Sequence, residues 1–169
     1  AHIALDQAQE ALGNLAEEAA LDVIQERLQI QLARIQLYYW EGWPDKMEAL
    51  SRQIEATIYA RGRVDQQITL LSIQFMTRLR QERYRLSAET VDIARRRLIL
   101  AEDHSSQFEQ AVAKFQVGFG LLWHGEITEA RVCLTRALAA TEQVGARIWQ
   151  IRSLAYLSIA DRMLGNLDQ

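Results

Sequence analysis

KFQVGFGLLWHGEITEARVCLTRALAATEQVG, residues 114–145, is the stretch that decides the fold. Apolar residues recur in it at intervals of three and four, first Val117, Leu121 and Leu122, then Ala130, Leu134, Ala137 and Leu138. That is the period of an α-helix that buries one face. Gly125 separates the two runs. A glycine at the end of a helical pattern reads as a C-terminal cap, because the residue there must take a positive φ. Moving outward, Gly145 and Gly165 follow Gly125 at equal steps of twenty, and Gly42 and Gly62 are separated by the same step. The ladder of glycines therefore counts helices. The pattern predicts eight, over 3–14, 18–41, 45–61, 63–82, 85–102, 106–124, 127–144 and 147–164. The connections between them are so short that sequential helices are expected to pack antiparallel.

Composition agrees with this reading. The chain has 169 residues, 49% hydrophobic and 24% charged, with one proline, one cysteine and a net charge of −3. Sandwiches and barrels need many proline- and glycine-rich turns, so an all-β fold is excluded. The apolar fraction excludes disorder. Cys133 has no partner for an internal disulfide, which fits a reducing cytoplasm. No apolar run has the length of a membrane span, and the first residues lack the apolar core of a signal peptide. No linker or change of composition divides the chain, so a single domain over 1–169 is expected.

Pairing the helices gives a period of about forty residues. Gly125-Glu126-Ile127-Thr128-Glu129-Ala130 matches Gly165-Asn166-Leu167-Asp168-Gln169, and Glu82-Arg83-Tyr84-Arg85-Leu86-Ser87 is the same motif with the glycine lost. Gly42-Trp43-Pro44-Asp45 is a fourth copy, with Pro44 at or just before a helix start, where its missing N–H costs nothing. Asp45, Thr128 and Asp168 read as N-caps. Repeats of this length that cannot each bury an apolar face signify an α-solenoid.

Segment 114–144 resembles a tetratricopeptide repeat. Gly118, with Val117 and Leu121, matches the small residue and apolar neighbours of that family's first helix. Gly125, Ile127, Ala130, Leu134 and Ala137 match its turn and second helix. The resemblance implies a right-handed α-solenoid of antiparallel helix pairs, with Gly118 and Ala130 close together in one repeat. The pattern departs from the family at Lys114, where an aromatic is usual, at Asp161, which replaces a large apolar residue, and in its longer period. Long, degenerate repeats of this type are similar to the superhelical segments of large bacterial LuxR-type regulators, including the maltose-operon activator. HEAT and armadillo arrays have a nearer period but usually carry a proline kink that this chain lacks, and they rank second. The chain starts at Ala1 inside what reads as a second helix, and a longer parent protein is expected.

Catalytic motifs are missing from the sequence. It contains no Walker-type loop, no dinucleotide fingerprint and no nucleophile elbow. His2, His104 and His124 are scattered, Gly118-Phe119-Gly120 lies inside a helical pattern, and Glu17-Glu18 reads as solvated surface. Cys133 reads as a small core residue. No enzyme, cofactor or metal is expected. Two features remain. Arginines crowd positions 78, 80, 83, 85, 95, 96 and 97, against only Glu82, Glu89 and Asp92. The three consecutive arginines fan around a helix, so a solvated charged surface is the favoured reading, and nucleic-acid binding is not expected. The aromatic group Tyr38, Tyr39, Trp40 and Trp43 closes one helix, and Trp123 has the corresponding place later. Packing is the first reading of these rings, but aromatics and arginines also anchor partners. The candidate partner-binding residues are Tyr39, Trp40, Trp43, Arg78, Arg85 and Trp123. The expected function is a protein-interaction scaffold for a protein segment or a neighbouring domain, with a small-effector sensor as the alternative.

Overall fold

The computed structural model describes residues 1–12 and 20–165. Gly13, the Glu17-Glu18 pair, the expected start of the second helix at 18 and the repeat copy at 166–169, with the expected cap Asp168, lie outside the described residues. Among the described residues the structure is helical, with no strand. The helices are α1 (His2–Ala11), α2 (Leu21–Glu41), α3 (Pro44–Arg61), α4 (Val64–Gln81), α5 (Ala88–His104), α6 (Gln107–His124), α7 (Ile127–Gln143) and α8 (Arg147–Met163). Among the described residues these eight helices fall, to within a few residues, where the apolar period placed them.

The chain gathers into two compact units, Ala1–Thr77 and Arg78–Gln169, and the division falls within α4. The first unit has an aliphatic core. Leu28, Leu32 and Ile35 of α2 meet Met47, Ile54 and Ile58 of α3 and Leu70 and Ile73 of α4. Spacings of three and four put these side chains on one stripe of each helix. By contrast, α1 buries no residue. It is attached through polar contacts: Arg34 donates to Asp6 at 2.8 Å, and Gln31 donates to Gln9 at 3.1 Å.

In the second unit, α6 is the centre, and every residue from Phe115 to Leu122 is buried. It contacts α5, α7 and α8. Gly118 explains how α7 approaches so closely. A Cβ at this position would lie 2.8 Å from Leu134 Cγ and 2.9 Å from the Leu134 backbone nitrogen. The nearest atoms to a Cβ at Gly118 thus belong to Leu134, one turn beyond Ala130, which is itself buried. The sequence located the small residue, and the structure adds Leu134 as the side chain that meets it.

Four turns close with one pattern. Trp43 N–H donates to the Tyr38 carbonyl, Tyr84 to Leu79, Glu126 to Leu121 and Ala146 to Thr141, always five residues back. This bond satisfies a carbonyl that the ending helix leaves without a partner, and it requires a left-handed residue just before it or close by. Gly42, Gly125 and Gly145 supply that conformation in three turns. In the turn whose glycine is lost, Arg83 (φ 48°) and Tyr84 (φ 61°) adopt it instead. Gly62 departs from the ladder. Its φ is −75°, and it is needed because a Cβ there would lie 2.6 Å from the Ile58 carbonyl oxygen. The caps also differ from expectation. Pro44 is the first residue of α3 and Ile127 the first of α7, so Asp45 and Thr128 lie inside the first turns rather than capping them. Side-chain caps come from Ser87 and Ser106, which accept from the backbone N–H of Thr90 and Glu109.

Candidate functional site

In the first unit the end of α2 and the start of α3 gather rings from both sides of the Gly42 turn. Tyr39 is half-buried against the aliphatic core and meets Trp40 edge-on at 5.2 Å. Trp40 itself is 80% exposed. Trp43 faces a different set: Tyr38 at 5.8 Å, His2 stacked at 6.4 Å, and the Lys46 ammonium 3.5 Å from the ring centroid. A cation over an indole face is attracted by the ring quadrupole. His2 also donates to Glu41 at 2.9 Å, which ties α1 to the end of α2. The three aromatic candidates of this unit therefore divide into a Tyr39–Trp40 pair and a Trp43 cluster. Of the cluster's remaining members, Tyr38 was grouped with these rings in the sequence and Lys46 lies close to Trp43 in it, whereas no sequence signal placed the distant His2 here.

Three arginines of the crowd in the second unit, Arg78, Arg95 and Arg97, are paired with acids. Arg78 pairs with Glu89 at 3.6 Å, and Arg95 with Asp92 at 3.5 Å and Glu129 at 3.3 Å. Arg97 is buried, with 4% of its surface exposed. It donates to Gln116 at 3.1 Å and to Glu109 at 2.9 Å. Burial holds its pKa below the ordinary value and Glu109 opposes that shift, yet a guanidinium stays charged in any protein. Arg97 is thus a structural cross-link between α5 and α6, a role that three consecutive arginines in a sequence do not reveal. Arg85 is exposed in the turn before α5, where its backbone N–H donates to the Glu82 carbonyl.

Trp123 belongs to a row of rings that extends across the second unit. Tyr84 meets Trp123 edge-on at 5.5 Å and Phe119 at 6.4 Å. Phe119 in turn meets Tyr156 at 4.7 Å, while Phe115 meets Trp149 at 5.2 Å and Tyr156 at 5.8 Å. Phe115, Phe119 and Trp123 recur every four residues on α6, and Trp149 and Tyr156 are seven apart on α8, so each set shares one helix face. Only Trp123 of this stripe was singled out from the sequence, although the four-residue spacing of the three rings is a signal that could have found the others. The 82–87 turn is fastened to the end of α6 by two bonds. Leu86 N–H donates to the Trp123 carbonyl at 3.1 Å, and His124 Nδ1–H donates to the Leu86 carbonyl at 2.7 Å. The Trp123 indole N–H is buried with no acceptor. Burial raises the Tyr156 phenol above its ordinary pKa; Tyr84 adds to the shift and Arg152 counters it. Arg152 lies 4.7 Å over the Trp149 ring.

Cys133 is half-buried, and burial followed by Glu129 raises its thiol pKa. Among the described residues no group of histidine, cysteine and carboxylate side chains could hold a metal ion, and no helix is long and apolar enough to cross a membrane. No protein-family model, curated protein or solved structure matches the chain.

Proposed function

We propose that the chain is a non-enzymatic recognition scaffold of tetratricopeptide type, a right-handed solenoid of antiparallel helix pairs that binds a protein segment or a neighbouring domain. The observation that carries this reading is the recurrence of one capping turn. Its five-residue bond ends at Trp43, Tyr84 and Glu126, at the spacing of the sequence repeat, and again at Ala146, about half a repeat later. Further support comes from pairs that sit symmetrically about a turn. Gly118 and Leu134 flank the 125–126 turn, and Arg131–Asp161 and Thr141–Gln150 flank the 144–146 turn, as in antiparallel neighbours. The resemblance suggests, as a setting, the superhelical segment of a longer bacterial signalling or transcription regulator in the cytoplasm. Arg78, Arg95 and Arg97 are engaged with acids, which favours partners other than a polyanionic duplex.

Panning the full chain against a displayed library of random peptides tests this reading. Enrichment of a consensus sequence that binds the purified chain saturably is the expected result. Repeated selection without any enriched sequence would overturn it. A second reading, a sensor of a small effector, is favoured by the buried Trp123 indole N–H that lacks an acceptor. A ligand that supplies one would alter Trp123 fluorescence and raise the melting midpoint.

A further inference from the structure

We propose that the aromatic face of the second unit, formed by Tyr84, Trp123, Tyr156 and Trp149, is the docking surface, and that its occupant is an acidic peptide segment with an aromatic or aliphatic anchor. The inference rests on the scaffold reading and names its partner.

Three observations converge on this face. The first is strain. Arg83 takes a left-handed φ of 48° at the turn position that glycine fills elsewhere in the chain, and Tyr84 follows it at 61°, where the corresponding Trp43, Glu126 and Ala146 keep a negative φ. Two adjacent non-glycine residues in this region are held against a conformational preference, and local strain of this kind is typical of binding sites. It does not serve to bury the ring, since Tyr84 remains 51% exposed. The second is an unmet hydrogen bond: the Trp123 indole N–H, in ring contact with Tyr84, is buried without an acceptor. Buried donors are nearly always paired, and an exception marks a place not optimised for stability alone.

The third observation, charge, selects the occupant. Arg83 and Arg85 are exposed on either side of Tyr84, and Arg152 lies against Trp149. None of the three makes an ion pair with a carboxylate among the described residues, whereas Arg78, Arg95, Arg97 and Arg131 of this unit do. Glu82, the acid of this turn, is already engaged, since it accepts from Ser87 and Thr90. Residues 78–169 hold thirteen Lys and Arg against eleven Asp and Glu, while residues 1–77 hold six against eleven. Half-exposed rings accept an apolar side chain, and free guanidinium groups accept carboxylates on both sides of it. Three free arginines suit a short acidic segment. They are too few for a nucleic-acid backbone, whose binding needs a longer array of cations.

Fluorescence polarisation with the full chain tests the proposal. The probes are a short labelled peptide of Asp and Glu around one Phe and one Leu, its counterpart with Gln for every acid, and its counterpart with Ser for Phe and Leu. The acidic, anchored probe is expected to bind, the other two to bind at least about tenfold more weakly, and added salt to weaken the complex. Arg152→Gln and Tyr84→Gly should each lower affinity by about tenfold, whereas Trp40→Ala in the first unit should leave it unchanged. Tyr84→Gly relieves the strained φ, so its fold is preserved, and a circular dichroism melt verifies this. Equal binding of the Gln probe, or binding unaffected by either second-unit variant, overturns the proposal. Tighter binding of a single-stranded oligonucleotide than of the acidic probe also overturns it. If these probes fail while library panning yields another consensus, the partner named here is wrong and the scaffold reading stands. If panning also yields nothing, the scaffold reading itself falls.

Discussion

The turn at Gly42 and the turn at Arg83–Tyr84 close with the same hydrogen bond, from Trp43 to Tyr38 and from Tyr84 to Leu79, yet they are built from different residues. Gly42 takes φ 77° at no steric cost, and Trp43 packs behind it on Tyr38, His2 and Lys46. At the second turn a side chain is carried through the left-handed region twice. The difference shows that the backbone path is dictated by the helix ending, and that the residue type is free to serve something else. The second turn persists because its surroundings over-determine it. Leu86 is bonded in both directions to the end of α6, and α6 is the most buried helix of its unit.

The largest effect should come from breaking that support. Gly118→Leu would drive a side chain into the Leu134 backbone, and the loss should be about 3 kcal/mol, read as a fall in the denaturation midpoint. An unchanged midpoint would mean that the α6–α7 crossing does not anchor the second unit. Next, Gly42→Val places a β-branched residue at φ 77° and should cost about 2 kcal/mol, measured by urea unfolding. The reciprocal change, Arg83→Gly, should stabilise by about 1 kcal/mol, since glycine accepts φ 48° freely. The two turns are then distinguished by opposite signs, and a loss of stability in Arg83→Gly would show that the Arg83 side chain contributes more than its strain costs.

The smallest effect is alkaline. Burial raises the Tyr156 phenol above its ordinary value in the folded state, so the unfolded chain ionises first as pH rises. The stabilising contribution is complete below the unfolded phenol pKa and is lost as pH climbs through the folded one. Melting midpoints of the wild-type chain should therefore fall above about pH 10, and Tyr156→Phe should show a shallower fall. Identical alkaline slopes would place the titrating group elsewhere.

How far the sequence reached can be judged at particular residues. Gly125 was legible as a helix end because a cap depends on its own φ and on carbonyls a few residues back. The 82–87 copy was legible as the same turn for the same reason, even without its glycine. Gly118 was legible as a close approach, but that Leu134 meets it required knowing the stagger of two helices. Among the candidate binding residues, Trp123 lies in the aromatic row and Trp40 is exposed, while Arg78 is paired with Glu89. Tyr84, Trp149, Tyr156 and Arg152 were not singled out, because each looks ordinary beside its own sequence neighbours.

Among the described residues, the sequence by itself determined the helical class and, to within a few residues, where the eight helices lie. These properties rest on periodicity and on interactions spanning five residues or fewer, so local chemistry settles them. Tertiary structure alone decided that Arg97 is buried while Arg95 and Arg96 are not, and that rings from α6, α8 and the 82–87 turn form one row. Those outcomes depend on which face of each helix meets which neighbour. That choice is made by packing between segments tens of residues apart, where a rotation of one helix by a single position exchanges a buried side chain for an exposed one.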